Sequence, residues 1–178
     1  MDDGLVDLAL VPEQAAPLGV VPGEVEEEQH EDAGLGVEAQ ESDPADPGGE
    51  TRYGISKRAF PQVDIKTLTL NQAKALYKSF YWEKGPHLIK LPTVAAKYFD
   101  LCVNAGVSRA SKWLQEASNL FGAGLALDGQ VGPVTAEWVN RYPHPEALLC
   151  ALKGLAFQHY VKQNKPRFLA GWLNRLEA

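Results

Sequence analysis

Apolar residues recur at the three- and four-residue spacing of amphipathic helices in the part of the chain that follows residue 68. The first such pattern predicts a helix over 69–82. Thr69 followed by Gln72 forms a capping box at its start, and Gly85-Pro86 breaks the pattern after its end. The positions that this spacing turns inward are Ala73, Leu76, Tyr77, Phe80 and Tyr81.

Four more helical segments with an apolar inner face are predicted further along the chain. One starts after Pro92 and stops at Gly106, the next is capped by Ser108, a long one follows from Pro145, and the last opens at Pro166. The apolar positions on their inner faces are Val94, Ala95, Tyr98, Leu101, Cys102 and Ala105; Ala110, Trp113, Leu114 and Ala117; Leu148, Ala151, Leu152, Leu155, His159 and Tyr160; and Phe168, Leu169, Trp172, Leu173 and Leu176. His159 on such a stripe is interpreted as a packed side chain rather than a catalyst.

Two segments interrupt the helical pattern. The run 43–56 is rich in proline, glycine and aspartate and predicts a loop. Within it, residues 51–55 alternate between polar and apolar side chains like a short strand. Residues 121–125 predict a second loop. It leads to the string 127–135, in which Gly129 and Gly132 shape turns and Pro133 starts a helix. This string resembles the loop of small helical peptidoglycan-binding modules, and the alternative is a plain junction between loop and helix.

Charge divides the chain into two parts. Residues 1–50 hold fifteen of the 23 acidic residues and no Lys or Arg, whereas residues 51–178 hold all 17 basic residues, so the formal charges are −15 and +9. A basic region suits nucleic acid or an anionic wall polymer. The basic residues are scattered, and no zinc-finger, basic-zipper or RNA-recognition signature accompanies them. Nucleic acid is therefore not the predicted partner, and an anionic wall polymer suits the charge equally well.

The sequence contains no motif for binding a metal or another cofactor and no segment that predicts a membrane span. There is no His-Glu-x-x-His, Cys-x-x-Cys or phosphate-binding glycine loop, so no metal or other cofactor is predicted. No apolar run approaches the ~20 residues of a membrane span, and the acidic start does not resemble an export signal. Cys102 and Cys150 are both predicted to be buried small residues rather than halves of a disulfide.

The exact order of residues in the first loop is more informative than its composition. The string DPADPGGETRYGISKRAFP resembles the signature of family 108 glycoside hydrolases, muramidases of bacteria and phages that cut peptidoglycan. The resemblance continues through 68–74, Tyr81-Trp82, 103–106 and 171–175, so that it covers about residues 42 to 178. It implies a mainly α, lysozyme-like helical domain with a small loop and strand region near its start. Residues 1–41 do not fit and are predicted to be a disordered acidic leader; they are either a natural tail or the product of an altered reading frame.

The resemblance also implies a set of catalytic residues. The family places a Glu, then eight residues, then an Asp, and about five residues further a Thr. Asp46 and Thr51 match the last two places, but the position of the Glu holds Val37. Glu38 is one residue late and is the candidate acid, although such a slip turns a side chain by ~100° on a helix. Asp46 is the candidate second carboxylate, and Thr51 is expected to hydrogen-bond near the attacking water.

Further residues are candidates for contact with the sugar chain, because aromatic faces and amides suit pyranose rings. They are Tyr53, Tyr81, Trp82, Asn104 and Asp128, with core packing as the alternative for Tyr81 and Trp82. The predicted organisation is a leader over 1–41, a catalytic region over 42–105, and a peptidoglycan-binding region over 106–178 in the same globule.

The function expected is lysozyme-like hydrolysis of the β-1,4 bond between N-acetylmuramic acid and N-acetylglucosamine. The alternative is a muramidase relative that binds peptidoglycan without cutting it. The protein is expected to be a monomer that is made in the cytoplasm and acts on the wall after release or holin-type export.

Overall fold

The computed structural model describes residues 50–177, and these form two compact units that divide between Ala73 and Lys74. The predicted disorder of the leader over 1–41 lies outside the described residues. The mainly α-helical fold with a small strand region near its start is confirmed.

The first unit, described over 50–73, contains a short antiparallel hairpin. Strand β1 is Thr51–Arg52 and strand β2 is Ile55–Ser56, with Thr51 opposite Ser56. Tyr53 and Gly54 both have positive φ angles, 53° and 74°, as a two-residue hairpin turn requires. The buried apolar residues of this unit are Ile55, Ala59, Phe60, Ile65, Leu68 and Ala73.

Helix α1, Leu70–Phe80, begins in the first unit and ends in the second. The predicted capping box is present at its start. The Thr69 backbone N–H donates to Gln72 Oε1 at 2.8 Å, and the Gln72 N–H donates back to Thr69 Oγ1 at 3.3 Å. Two 3-10 turns, Trp82–Lys84 and Pro86–Leu88, follow the helix.

The second unit, described over 74–177, holds five further helices. They are α2 Pro92–Ala105, α3 Val107–Asn119, α4 Pro133–Arg141, α5 Pro145–Lys162 and α6 Pro166–Glu177. Four of them start with proline, which fits the first helical turn because no intrahelical partner awaits its missing N–H there. Helix α2 packs against α3 and α5, and α5 packs against α6.

The core of this unit lies where α2, α3 and α5 meet. Tyr98, Leu114 and Leu148 are fully buried there. The hydroxyls of Tyr98 and Ser111 share a buried hydrogen bond of 2.6 Å, and Ser111 also donates to the Val107 carbonyl. Polar groups inside this core are therefore paired, as buried hydroxyls must be to avoid a desolvation cost.

A buried lysine joins α2 to α6. The Lys97 ammonium is almost completely covered and donates to the backbone carbonyl of Arg175, while Asp100 Oδ1 accepts from the Arg175 guanidinium at 3.1 Å. Burial lowers the pKa of Lys97, and the nearby Asp100 carboxylate opposes that shift. These contacts fix the end of the chain against α2.

Three details differ from the expectations. Ser108 does not cap α3, because the cap position is Gly106 and Ser108 lies inside the first turn. Cys150 is exposed and only Cys102 is buried; both are free thiols. Phe168, placed on the inner stripe of the last helix, is half exposed, since that helix is covered on one side only.

Candidate functional site

The two candidate carboxylates, Glu38 and Asp46, lie outside the described residues. The described part of the predicted catalytic region begins at the end of the loop that follows them, with Glu50 and Thr51.

Thr51 lies at the base of the hairpin, next to residues that are held by a hydrogen bond and an ion pair. It opens β1, and the Lys57 backbone N–H donates to the Glu50 carbonyl at 2.9 Å directly beside it. The Glu50 carboxylate also pairs with Lys66 at 3.4 Å. Both sides of the hairpin base are thus held, so the Thr51 backbone is anchored within the described part of this unit, residues 50–73.

Tyr53 lies at the hairpin turn beside Arg52. The Arg52 guanidinium lies 5.3 Å from the centre of the Tyr53 ring and donates to the Lys66 carbonyl at 2.6 Å. A positive φ is uncommon for a residue with a side chain and costs free energy unless the surroundings enforce it. The cation over its ring is one contact that holds Tyr53 in that conformation.

Trp82 lines a surface groove in the second unit, and we call this the Trp82 groove. Its other lining residues are Lys74, Tyr77, Lys78 and Phe99. The Trp82 and Phe99 ring centres are 5.7 Å apart in an edge-to-face arrangement, and those of Tyr77 and Phe99 are 6.5 Å apart. Trp82 is 36% exposed, so an aromatic surface flanked by two ammonium groups faces outward.

Tyr81 differs from its neighbour Trp82. It is half-buried against the core of the second unit, with its ring centre 6.0 Å from that of Tyr77. Burial raises the pKa of the Tyr81 hydroxyl, and the nearby Tyr77 and Cys102 raise it further. The structure therefore gives Tyr81 a packing role and brings Trp82 to the surface.

Asn104 is positioned by the last turn of α2. Its side-chain N–H₂ donates to the Tyr160 hydroxyl at 2.7 Å, which joins α2 to α5. Burial raises the pKa of Tyr160, and the hydrogen bond with Asn104 partly offsets that effect. A contact between Asn104 and sugar remains a prediction.

Asp128 is held by a buried amide. Asp128 Oδ1 accepts from Gln115 Nε2 at 2.7 Å and from the Gln130 backbone N–H at 2.9 Å. Gln115 Nε2 also donates to the Gln130 carbonyl, and Gln115 Oε1 accepts from the Gly129 N–H. The bond from Gln115 is the largest cause that lowers the pKa of Asp128, because it stabilises the ionised carboxylate.

A second groove was not predicted from the sequence, and we call it the Trp138 groove. Phe121, Leu125, Val134, Trp138 and Tyr142 are among the residues that line it. The signal that would have found it is the four-residue spacing of Trp138 and Tyr142 together with an aromatic residue in the loop 121–125.

Over residues 50–177, no three His, Cys, Asp or Glu side chains come together as a metal site would require. None of the helices described there combines the length and the apolar character needed to cross a membrane.

Comparison with protein families shows two matches in sequence order. Residues 34–106 match the family described as "Glycosyl hydrolase 108", and residues 109–177 match the one described as "Predicted Peptidoglycan domain". The predicted resemblance is thereby confirmed, including the order of the two parts, and residues 1–33 lie outside both matches. Search of the curated proteins gave no match.

Comparison with solved structures shows a shared fold. The "Structure of Brucella abortus SagA" is similar with a TM-score of 0.65 and 24% sequence identity, over 79% of this chain and 83% of that chain. The likeness confirms the lysozyme-like fold class and, at this identity, concerns the fold alone.

Proposed function

We propose that this chain, a peptidoglycan-acting and muramidase-like protein by its two family matches, hydrolyses the β-1,4 bond between N-acetylmuramic acid and N-acetylglucosamine. The observation that carries the proposal is the continuous match over 34–106, which includes Glu38, Asp46 and Thr51, followed at once by the peptidoglycan-domain match. One chain thus combines a glycosidase sequence with a wall-binding sequence.

The roles proposed follow from the chemistry of the glycosidic bond. Its cleavage needs an acid that protonates the leaving oxygen and a second carboxylate that activates water or stabilises the positive charge on the sugar. Glu38 is the acid and Asp46 is the second carboxylate. Thr51, with its backbone fixed at the hairpin base, hydrogen-bonds near the water.

The Trp82 groove is proposed to contact the glycan. Aromatic rings offer apolar faces to the C–H surface of a pyranose, and the ammonium groups of Lys74 and Lys78 suit the carboxylates of a peptidoglycan strand. Tyr53, Asn104 and Asp128 are proposed as further contacts. The protein is proposed to act in the manner of an endolysin, as a monomer that reaches the wall after release or holin-type export.

A second candidate function rests on Val37. This residue holds the position that the family spacing gives to the catalytic Glu, and general-acid catalysis typically contributes ~10²–10⁴-fold to a rate. If Glu38 cannot replace that acid, the chain binds peptidoglycan without cutting it.

Digestion of purified bacterial cell walls distinguishes the two functions. The muramidase is expected to clear the suspension and to release fragments with N-acetylmuramic acid at their reducing ends, as identified by mass spectrometry. Glu38→Gln and Asp46→Asn are each expected to reduce the release by ~10²-fold or more, whereas the control Glu41→Gln keeps it.

Two other outcomes of the cell-wall digestion contradict one or both of these functions. Wall that retains the protein but releases no fragments supports the binding protein and contradicts the hydrolase. Wall that neither retains the protein nor releases fragments contradicts both functions.

A further inference from the structure

The Trp138 groove is built around a cluster of three aromatic rings. The centre of the Tyr142 ring is 4.9 Å from that of Trp138 and 5.0 Å from that of Phe121. The Trp138 and Tyr142 rings are stacked with planes inclined by 17°, whereas the Phe121 ring is tilted by 32° against Tyr142. The cluster joins Trp138 of α4 and the residue that follows this helix to the loop that follows α3.

Part of this apolar surface faces outward. Val134, on α4 one turn before Trp138, is 74% exposed, and Phe121 is 38% exposed. Burial of such residues would be favourable, so their exposure within one groove marks a candidate contact surface.

The loop that carries Phe121 is held in place. Asn119 Nδ2 donates to the Leu125 carbonyl at 2.8 Å, and the Leu125 N–H donates to Asn119 Oδ1 at 2.7 Å. Two reciprocal bonds from one side chain close the loop over residues 120–124. The groove is therefore preformed, which reduces the entropy lost when a ligand binds.

Charges beside the groove are balanced. Glu137 and Arg141, which also line it, form an ion pair of 3.0 Å between side chains that are both largely exposed. The pair offers a carboxylate acceptor and guanidinium donors without a net charge, so the groove does not favour an anion such as a nucleic-acid phosphate. Its chemistry fits a neutral ligand with an apolar face and a hydroxyl-rich edge.

We propose that the Trp138 groove binds N-acetylhexosamine units of a β-1,4-linked glycan strand. In these sugars the axial C–H bonds form apolar faces and the equatorial hydroxyls form a polar edge, which matches the rings and the ion pair. Leu125 and Val134 provide aliphatic surface for the methyl of the N-acetyl group. The site rests on the proposed function and deepens it, since it names the part of the wall polymer that the 109–177 segment binds.

The test uses the full chain and soluble chitohexaose, a β-1,4-linked oligomer of N-acetylglucosamine. Binding is measured by titration calorimetry, and mass spectrometry verifies that the oligomer stays intact. Val134→Glu fills the groove with a charged side chain at an exposed position and leaves the packing unchanged. It is expected to weaken binding about tenfold or more, as is Phe121→Ser, because loss of an aromatic contact changes affinity by about that factor.

Matched controls separate the groove from general effects. Phe157→Ala removes an aromatic side chain that is 47% exposed on α5 and is expected to leave binding unchanged. Cellohexaose, which lacks the N-acetyl groups, is expected to bind at least fivefold more weakly than chitohexaose.

Three results would overturn the proposal. They are unchanged chitohexaose affinity in both Val134→Glu and Phe121→Ser, equal affinity for cellohexaose, and a concentration-dependent dimer that Val134→Glu dissociates. Failure of the hydrolase is distinguishable from failure of this proposal. A chain that releases no fragments from cell walls contradicts the hydrolase, whereas the groove is tested by the chitohexaose affinities of Val134→Glu and Phe121→Ser, which do not depend on cleavage.

Discussion

At the scale of single residues, Gln115 is the side chain that holds the loop over 128–130 in place. Its side chain is 1% exposed, and it makes three hydrogen bonds to the loop over 128–130. Each such bond contributes ~0.5–1.5 kcal/mol, and a buried N–H left without a partner costs ~1–3 kcal/mol. The conformation of the Asp128 loop therefore depends on one amide on α3.

Gln115→Ala is expected to lower the free energy of unfolding by ~2–4 kcal/mol, since it removes these bonds and leaves the buried Gly129 N–H unpaired. Urea unfolding measures this loss, and Glu116→Ala, at the exposed neighbouring position, is the control with little change. The pKa of Asp128, which the Gln115 bond holds below its ordinary value, should rise in the variant when it is followed by NMR. Because the pKa of Asp128 is lower in the folded protein than in the unfolded chain, the hydrogen bond from Gln115 to the ionised carboxylate stabilises the fold above the unfolded pKa. This stabilisation is lost as the pH falls through the folded pKa. An unchanged Asp128 pKa would show that Gln115 is not its main determinant.

Any side chain at Gly129 is expected to lower the stability of the fold. Its φ is +76°, and a Cβ there would lie 2.5 Å from Ser108 Oγ and 3.0 Å from the Ser108 carbonyl oxygen. Gly129→Ala is expected to cost ~1–3 kcal/mol of stability through backbone strain and contact with α3. Gly132→Ala is the matched control, because that residue has a φ of −101° and open space around it. Equal melting temperatures for the two variants would contradict the assignment.

At the scale of elements, the sequence predicted the helices well and the surface aromatics poorly. The capping box at Thr69 and the prolines at the starts of α2, α4, α5 and α6 are local signals, so they identify helix starts without tertiary information. In the Trp138 groove, Phe121 of a loop meets Trp138 of α4 and Tyr142 just after this helix. The sequence shows the four-residue spacing of Trp138 and Tyr142, but no periodicity within one element reveals their contact with the loop. The same limit explains Cys150, whose exposure is decided by how much of α5 its neighbours cover.

The packing of α3 against α5 places His159 in a setting that predicts a pH dependence. Its ring lies 5.2 Å from Trp113, and burial, followed by the nearby Arg109 and Lys162, lowers its pKa. The unfolded chain therefore takes up a proton before the native one does. Stability should fall as the pH drops from above ~6.5 to the lowered native value and should then level off.

The free energy of unfolding is expected to be lower at pH 5.5 than at pH 7.5, and His159→Gln is expected to remove the part of this difference that comes from protonation of His159. Urea titrations at both values measure it, with the exposed His87→Gln as the control that retains the difference. A variant with the full wild-type difference would assign the pH dependence to other groups.

At the scale of the molecule, the two family matches share one hydrophobic core. The first ends at residue 106 and the second begins at 109, yet α2 on one side of this boundary packs against α3 and α5 on the other. Tyr98 and Leu101 from α2 are fully buried in that core, and Tyr98 also bonds to Ser111. Each buried apolar side chain of this size contributes ~1.5–3 kcal/mol, so the second segment depends on the first.

A fragment of residues 109–177 is expected not to fold alone, because it lacks all the buried side chains of α2. Thermal unfolding followed by circular dichroism should show no cooperative transition for the fragment under conditions in which the full chain shows one. A cooperative transition in the fragment would show that its own core suffices.

The junction at Gly106 has a last consequence. Between α2 and α3 the chain turns at this single residue, with a φ of 87° and a backbone N–H that donates to the Cys102 carbonyl. Proteases cut where a stretch of backbone can detach from the fold and extend into their active site. One hydrogen-bonded glycine between two packed helices provides no such stretch. The peptide bonds between α2 and α3 should therefore resist limited proteolysis for as long as these two helices stay packed.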